Sequence, residues 1–154
     1  MTRDERYMLL ALKCAQKAKE KGEVPVGAVI VKGDKVIAKA FNEREKRGSA
    51  TAHAEIIAIE KACKKLGDWR LDGCEIFVTL EPCPMCAGAI FNARLDRLVY
   101  SAKDEKMGFC GSVCNIFHMP IDAKTRIITG VLESTSLEIL KDFFQKLRNK
   151  TKEN

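Results

Sequence analysis

The chain has 154 residues, 46% of them apolar, which suits one folded domain with a single core and excludes a disordered polymer. No apolar run approaches the roughly 20 residues that span a bilayer, and Met1–Arg6 lacks the apolar centre of a signal peptide, so a cytoplasmic protein is expected. The net charge of +6 favours a polyanionic partner, and seven cysteines, an odd count without a secretion signal, argue against a disulfide framework.

Arg3 to Lys21 reads as a helix, with Met8, Ala11, Leu12, Ala15 and Ala18 at helical spacing and Gly22 as its stop. Val24 to Val31 reads as a strand covered on both faces, with Pro25 tolerable only near its start. A turn at Lys32–Lys35 joins it to a second strand, Val36 to Phe41. Asn42 to Ala50 is a charged loop, followed by a helix with Ile56, Ile59, Cys63 and Leu66 on one face. After a loop carrying Trp69, a third strand spans Glu75 to Leu80. Cys83 to Ala93 is a short helix with Pro84 in its first turn, and Arg97 to Ser101 is a fourth strand. Lys103 to Asp122 is mostly loop, with a short helix expected around Ser112 to His118, and Arg126 to Thr129 is a fifth strand. A basic final helix is expected over about 134–150, with Leu137, Leu140, Phe144 and Leu147 on one stripe and Phe143 beside it. From Lys141 onward five basic residues stand against two acidic ones. The order predicts an α/β fold with a five-stranded mixed sheet and helices on both faces, in one domain over 1–154.

The chemistry concentrates in two stretches, Thr51-Ala52-His53-Ala54-Glu55 and Glu81-Pro82-Cys83-Pro84-Met85-Cys86. Cys83 and Cys86 stand at i, i+3, so at a helix start both sulfurs can face one point, where the helix N-terminus favours thiolates. His53 and Glu55 at i, i+2 would point roughly 200° apart in a helix body, so they can share a site only at a helix entrance. One imidazole, two thiolates and an unused carboxylate are the inventory of a catalytic zinc site with an open fourth position. A structural knuckle would want a second CxxC or a CxxH, none exists, and His118 has no partner at tetrahedral spacing. Cys110 and Cys114 could form a second site, but the residues between them carry no further ligand. Glu55 is the candidate proton shuttle, and His53, Cys83 and Cys86 are the candidate metal ligands. Cys14, Cys63 and Cys74 read as small core residues.

The pairing of His53-Ala54-Glu55 with Pro82-Cys83-Pro84-Met85-Cys86 matches the signature of the zinc nucleoside and nucleobase deaminases. More narrowly, Val24-Pro25-Val26-Gly27-Ala28-Val29, Asn42, Thr51 to Glu55 and Val78 to Cys83 resemble the bacterial tRNA adenosine deaminases, over nearly the whole chain. That resemblance implies a three-layer α/β/α cytidine deaminase-like fold. It also implies one zinc ion per subunit and a homodimer with active sites at the subunit interface. The implied reaction is hydrolytic conversion of adenosine to inosine at the wobble position of a tRNA anticodon loop whose bases are splayed out. By resemblance, Asn42 contacts the flipped nucleoside and backbone near Val26, Gly27 and Ala54 lines its pocket. Asp104 and Lys106 match family positions near the RNA. Phe143 and Arg148 on the basic last helix are candidate RNA contacts that could stack bases or meet phosphates. Met107 to Cys114 and Asp122 to Arg126 depart from the family pattern.

Two other readings use the same residues. A deaminase of a free base or nucleoside, of guanine or cytosine type, would share the core chemistry. A non-catalytic zinc RNA-binding module would have no use for Glu55.

Overall fold

The computed structural model describes residues 1–153. Helix α1 (Arg3–Glu20) starts at a capping box, in which Thr2 Oγ1 accepts from Glu5 N–H and the Glu5 carboxylate accepts from Thr2 N–H. It is followed by β1 (Gly27–Lys32), β2 (Lys35–Phe41), a one-turn helix α2 (Arg44–Arg47) and α3 (Ala54–Leu66). Then come β3 (Cys74–Leu80), α4 (Pro84–Asn92), β4 (Arg97–Ala102), β5 (Arg126–Thr129) and α5 (Glu133–Glu153). The sheet order is β2-β1-β3-β4-β5. β1 is antiparallel to both β2 and β3, whereas β3, β4 and β5 run parallel, so the expected mixed five-stranded sheet is present.

Period-two alternation along the central strands sorts the core onto two faces. Val29, Val31, Phe77 and Val99 face Tyr7, Met8, Ala11 and Leu12 of α1, with Ile139 of α5 packed beside them. Ala28, Ile30, Ile76, Val78, Leu98 and Tyr100 point the other way, towards α3 and α4. Both faces are covered, which explains the near-continuous apolar runs of β1 and β3. The close approach of α1 depends on Gly27, where a Cβ would stand 2.6 Å from Ala15 N and 2.8 Å from Cys14 Cβ.

Several boundaries differ from the sequence reading. The first strand begins at Gly27 rather than Val24, because Pro25 has no N–H and the carbonyls around it serve local partners. Val26 N–H turns back to Val24 O at 2.9 Å, and Asn42 N–H reaches Val26 O at 3.0 Å. The 42–50 loop contains α2, which ends at Gly48 in the left-handed region with φ 57°. The helix expected over 112–118 is one 3-10 turn at Ile116–His118, begun by Asn115. On α3 the face against the sheet is Ala54, Ile57, Ala58 and Ala62, and Ile56, Ile59, Cys63 and Leu66 flank it half-buried.

The last helix corrects a further expectation. Ser136 and Leu140 are buried, with Ile139 and Phe143 half-buried, while Leu137, Phe144 and Leu147 lie exposed. The packed face runs through a serine that no hydrophobicity pattern selects. Ser136 Oγ donates to Thr79 O at 2.6 Å, which docks α5 on the end of β3.

Candidate active site

The α3 and α4 N-termini converge beside the carboxyl end of β3, where a parallel strand hands over to its crossover helix. His53 is the N-cap of α3, with extended backbone (φ −79°, ψ 152°), and Glu55 sits in the first turn. Cys83 is the N-cap of α4, also extended (φ −71°, ψ 175°); Pro84 opens the helix and Cys86 follows within its first turn. The His53 Nδ1 atom lies 3.7 Å from Cys83 Sγ and 3.5 Å from Cys86 Sγ. All three ligand atoms lie within 4.8 Å of one another. A tetrahedral zinc ion with ordinary Zn–S and Zn–N bonds separates such atoms by about 3.5 Å.

The electrostatics fit a cation. Both thiols sit at the positive end of α4. The neighbouring Cys86 thiol is the main reason the Cys83 thiol is held down to about 4, with His53 assisting against burial. The same partnership, with burial, pushes Cys86 up. His53 is raised first by its contact with Cys83. Burial pushes Glu55 up to about 7. Glu55 is 3% exposed, and its Oε1 is a buried polar atom without a hydrogen-bond partner. A carboxylate oxygen is rarely left so, and here it stands beside three converging atoms that could hold a metal ion.

A cavity of about 230 Å³ opens over this group. Val26, Asn42, His53, Ala54, Glu55, Cys83 and Asp104 all line it, so most of the residues singled out from the sequence meet in one place. Cys86 is fully buried beside it. Asn42 Nδ2 donates to Val24 O at 3.3 Å and Oδ1 accepts from Arg44 N–H at 3.2 Å, which fixes the amide orientation and leaves one N–H and one lone pair for a ligand.

Other singled-out residues lie elsewhere. Gly27 is outside the lining; its N–H is used by Thr79 Oγ1 at 3.1 Å and its missing side chain admits α1. Lys106 is exposed on the loop after β4, where its N–H donates to Asp104 Oδ1 at 3.1 Å. Phe143 lines a groove between α1 and α5 with Lys19, Lys146 and Lys150, and meets Phe144 edge-on at 5.3 Å. Arg148 is exposed on α5. Cys110 and Cys114 join no ligand cluster among the described residues.

The sequence reading overlooked Val24, Arg44, Leu80 and Met107 in the lining. It also missed Glu23, a buried carboxylate that accepts from Glu45 N–H at 2.9 Å and Lys46 N–H at 2.8 Å and so holds α2 beside Asn42. An acidic residue between Gly22 and an apolar Val-Pro-Val run was the available signal.

Residues 2–148 match the MafB19-like deaminase family. The chain belongs to that family. Within it, the chain falls among the tRNA-specific adenosine deaminases. It is 47% identical to the tRNA-specific adenosine deaminase of Bacillus subtilis (strain 168) over 99% of this chain and 95% of the relative. A solved structure from a study of A-to-I editing by tRNA:A34 deaminases at the wobble position of transfer RNA is 45% identical, with a TM-score of 0.84, covering 88% of this chain and 99% of that one. A guanine deaminase structure from Bacillus subtilis is 42% identical with a TM-score of 0.63, covering 67% of this chain and 66% of that one. Family membership and the His-Cys-Cys cluster together fit zinc binding.

Proposed function

We propose that this protein deaminates adenosine to inosine at the wobble position of a tRNA anticodon, with release of ammonia. The observation that carries the reading is the unpartnered Glu55 Oε1, buried in the same cavity as the His53, Cys83 and Cys86 ligand atoms. Near-complete alignment with tRNA-specific adenosine deaminases supports the substrate class.

His53, Cys83 and Cys86 would hold zinc. Zinc bound there supplies the Lewis acid that activates water for attack on an electrophilic carbon. Glu55 takes a proton from the attacking water and delivers it to the departing amino group. Water adds at C6, the C6–N6 bond breaks, ammonia leaves and inosine remains. Burial serves Glu55 here, because a carboxylate whose affinity for protons is raised can both accept and return one near neutral pH. Asn42, oriented by Val24 O and Arg44 N–H, turns its free N–H and lone pair to the nucleoside, and Val26 and Ala54 wall the base.

The cavity accommodates a flipped base rather than a folded RNA, so the rest of the anticodon loop lies across the rim. Asp104, in the cavity lining, and the exposed Lys106 on the same loop after β4 are the candidates to meet it there. Lys146, Arg148 and Lys150 on α5 supply positive charge for the backbone, and Phe143 an aromatic face. The protein acts as one deaminase domain over 1–154, in the cytoplasm, and as a homodimer. Met107, Val113, Met119 and Ile121, all exposed in the segment between β4 and β5, support an interface there. No described helix is long and apolar enough to cross a membrane.

Incubation of zinc-loaded protein with a tRNA bearing adenosine at the wobble position tests this. Reverse transcription should then read guanosine at that position. Deamination of guanine with the tRNA left unchanged would overturn the reading in favour of free-base chemistry.

A further inference from the structure

We infer that Glu81 is a positioning residue for the reaction: its buried carboxylate fixes the rim loop 104–112 against the metal-ligand segment and so sets the wall that receives the substrate. The inference rests on the proposed deamination for its substrate, but the anchor itself can be read without turnover.

Glu81 is 2% exposed, and all of its side-chain hydrogen bonds come from one loop. Oε1 accepts from Asp104 N–H at 3.1 Å and from the Ser112 hydroxyl. Oε2 accepts from Cys110 N–H at 3.1 Å and Ser112 N–H at 3.0 Å. Four donors on one carboxylate replace its hydration almost completely, which is how an acidic side chain can stay buried without a cationic partner. The donors come from positions up to eight residues apart in sequence, so the carboxylate closes the loop into a compact unit.

The loop is built around this anchor. A Cβ at Gly108 would run into the Glu81 carboxylate and the Asp104 carbonyl. Gly108 N–H closes back on Asp104 O at 2.8 Å, and Asp104 Oδ1 accepts from Lys106 and Met107 N–H, each at 3.1 Å. Phe109 N–H donates to Pro82 O at 2.9 Å. Residues 81 and 82, immediately before Cys83, therefore hold the loop that places Asp104 and Met107 in the cavity wall. One short segment carries both the metal ligand and the anchor of the rim, which keeps the wall in register with the reacting centre. The wall meets the substrate in the ground and transition states alike, so a displaced wall weakens binding of both and shows in KM.

The test is Glu81→Gln, which keeps the size but turns one of the two oxygens into a donor facing N–H groups. Amide hydrogen exchange is measured at Asp104, Cys110 and Ser112 alongside steady-state kinetics on an anticodon stem-loop. Zinc content is recorded for each protein. Faster exchange confined to 104–112, with KM for the stem-loop raised on the order of tenfold and kcat within about threefold, is expected. Ser112→Ala, which removes one donor, should give a smaller change in the same direction, and Gly108→Ala should reproduce Glu81→Gln. Unchanged exchange in Glu81→Gln overturns the inference, as does a fall in kcat with KM unchanged. If Glu81→Gln does not fold, Ser112→Ala and Gly108→Ala decide by the same criteria. A wild-type protein inactive on the stem-loop would defeat the proposed function, while the exchange data would still decide the anchor.

Discussion

Glu55 follows His53 by two residues, yet both side chains address one cavity, because His53 lies outside α3 as its N-cap and Glu55 lies in the first turn. A helix body would have set the two apart. The extended backbone at the N-cap is therefore what lets the proposed histidine ligand and the proposed proton shuttle share a five-residue motif.

Glu55→Gln should separate stability from catalysis. Removing the shuttle should lower kcat by about 10²–10⁴-fold while zinc content stays at the wild-type level. The same substitution removes a buried charge with an unpartnered oxygen, so unfolding free energy should stay level or rise by about 1 kcal/mol. Urea melts and metal analysis on the same preparations check both halves. A variant that loses zinc, or unfolds more readily, would contradict a purely catalytic role.

Metal binding should depend on all three ligands and stabilise the fold. Cys86→Ser and His53→Ala should each lower zinc retention through dialysis. In the wild type, chelation should lower the melting temperature, and added zinc should restore it in a concentration-dependent way. A melting temperature indifferent to zinc would count against the converging ligand atoms as a metal site.

Much of this was legible in sequence, for identifiable reasons. Polar turn residues and long periodic segments fixed the hairpin, α1 and the central strands. The candidate metal ligands showed because their spacing serves one point in space. Val24–Val26 were misread as strand because apolar character outweighed Pro25, although their carbonyls hold Asn42 and one another. The stripe on α5 was misjudged because leucines mark it, whereas docking runs through Ser136 and the Thr79 carbonyl. The roles of Glu23 and Glu81 were not legible, although Glu81 stands in the motif stretch, because a buried carboxylate serving backbone N–H groups has no spacing signature. Only the fold shows what each holds.

The bidentate pair between Asp4 and Arg97 should give stability a defined pH dependence. Arg97 Nη1 and Nη2 donate to the two Asp4 oxygens at 2.7 and 2.6 Å, joining the start of α1 to β4. That hydrogen bond is the main reason the Asp4 carboxyl is held below the usual carboxylate range. A depressed folded pKa stabilises the protein above the unfolded value, near 3.9, and that contribution fades as pH falls through the folded pKa. Asp4→Asn should thus cost about 1–2 kcal/mol at pH 7, and the deficit should shrink below about pH 4. Urea melts across that range check the sign; a constant deficit would contradict it.

Gly27→Ala should destabilise the protein without altering metal binding. Its Cβ would press on the α1 backbone at Ala15 N, 2.6 Å away, and the helix cannot shift without losing its packing on the sheet. A loss of about 2–3 kcal/mol in unfolding free energy is expected by urea titration. An unchanged midpoint would mean that α1 approaches β1 less closely than described.

The central claim is tested most directly by ammonia release. Zinc-loaded protein is offered an anticodon stem-loop with adenosine at the wobble position, beside free adenosine, cytidine, cytosine and guanine. Turnover on the stem-loop, absent from the free compounds and lost in Glu55→Gln, is the predicted result. Ammonia from a free base with none from the stem-loop would contradict the account and leave α5 as a packing helix with a solvated basic face.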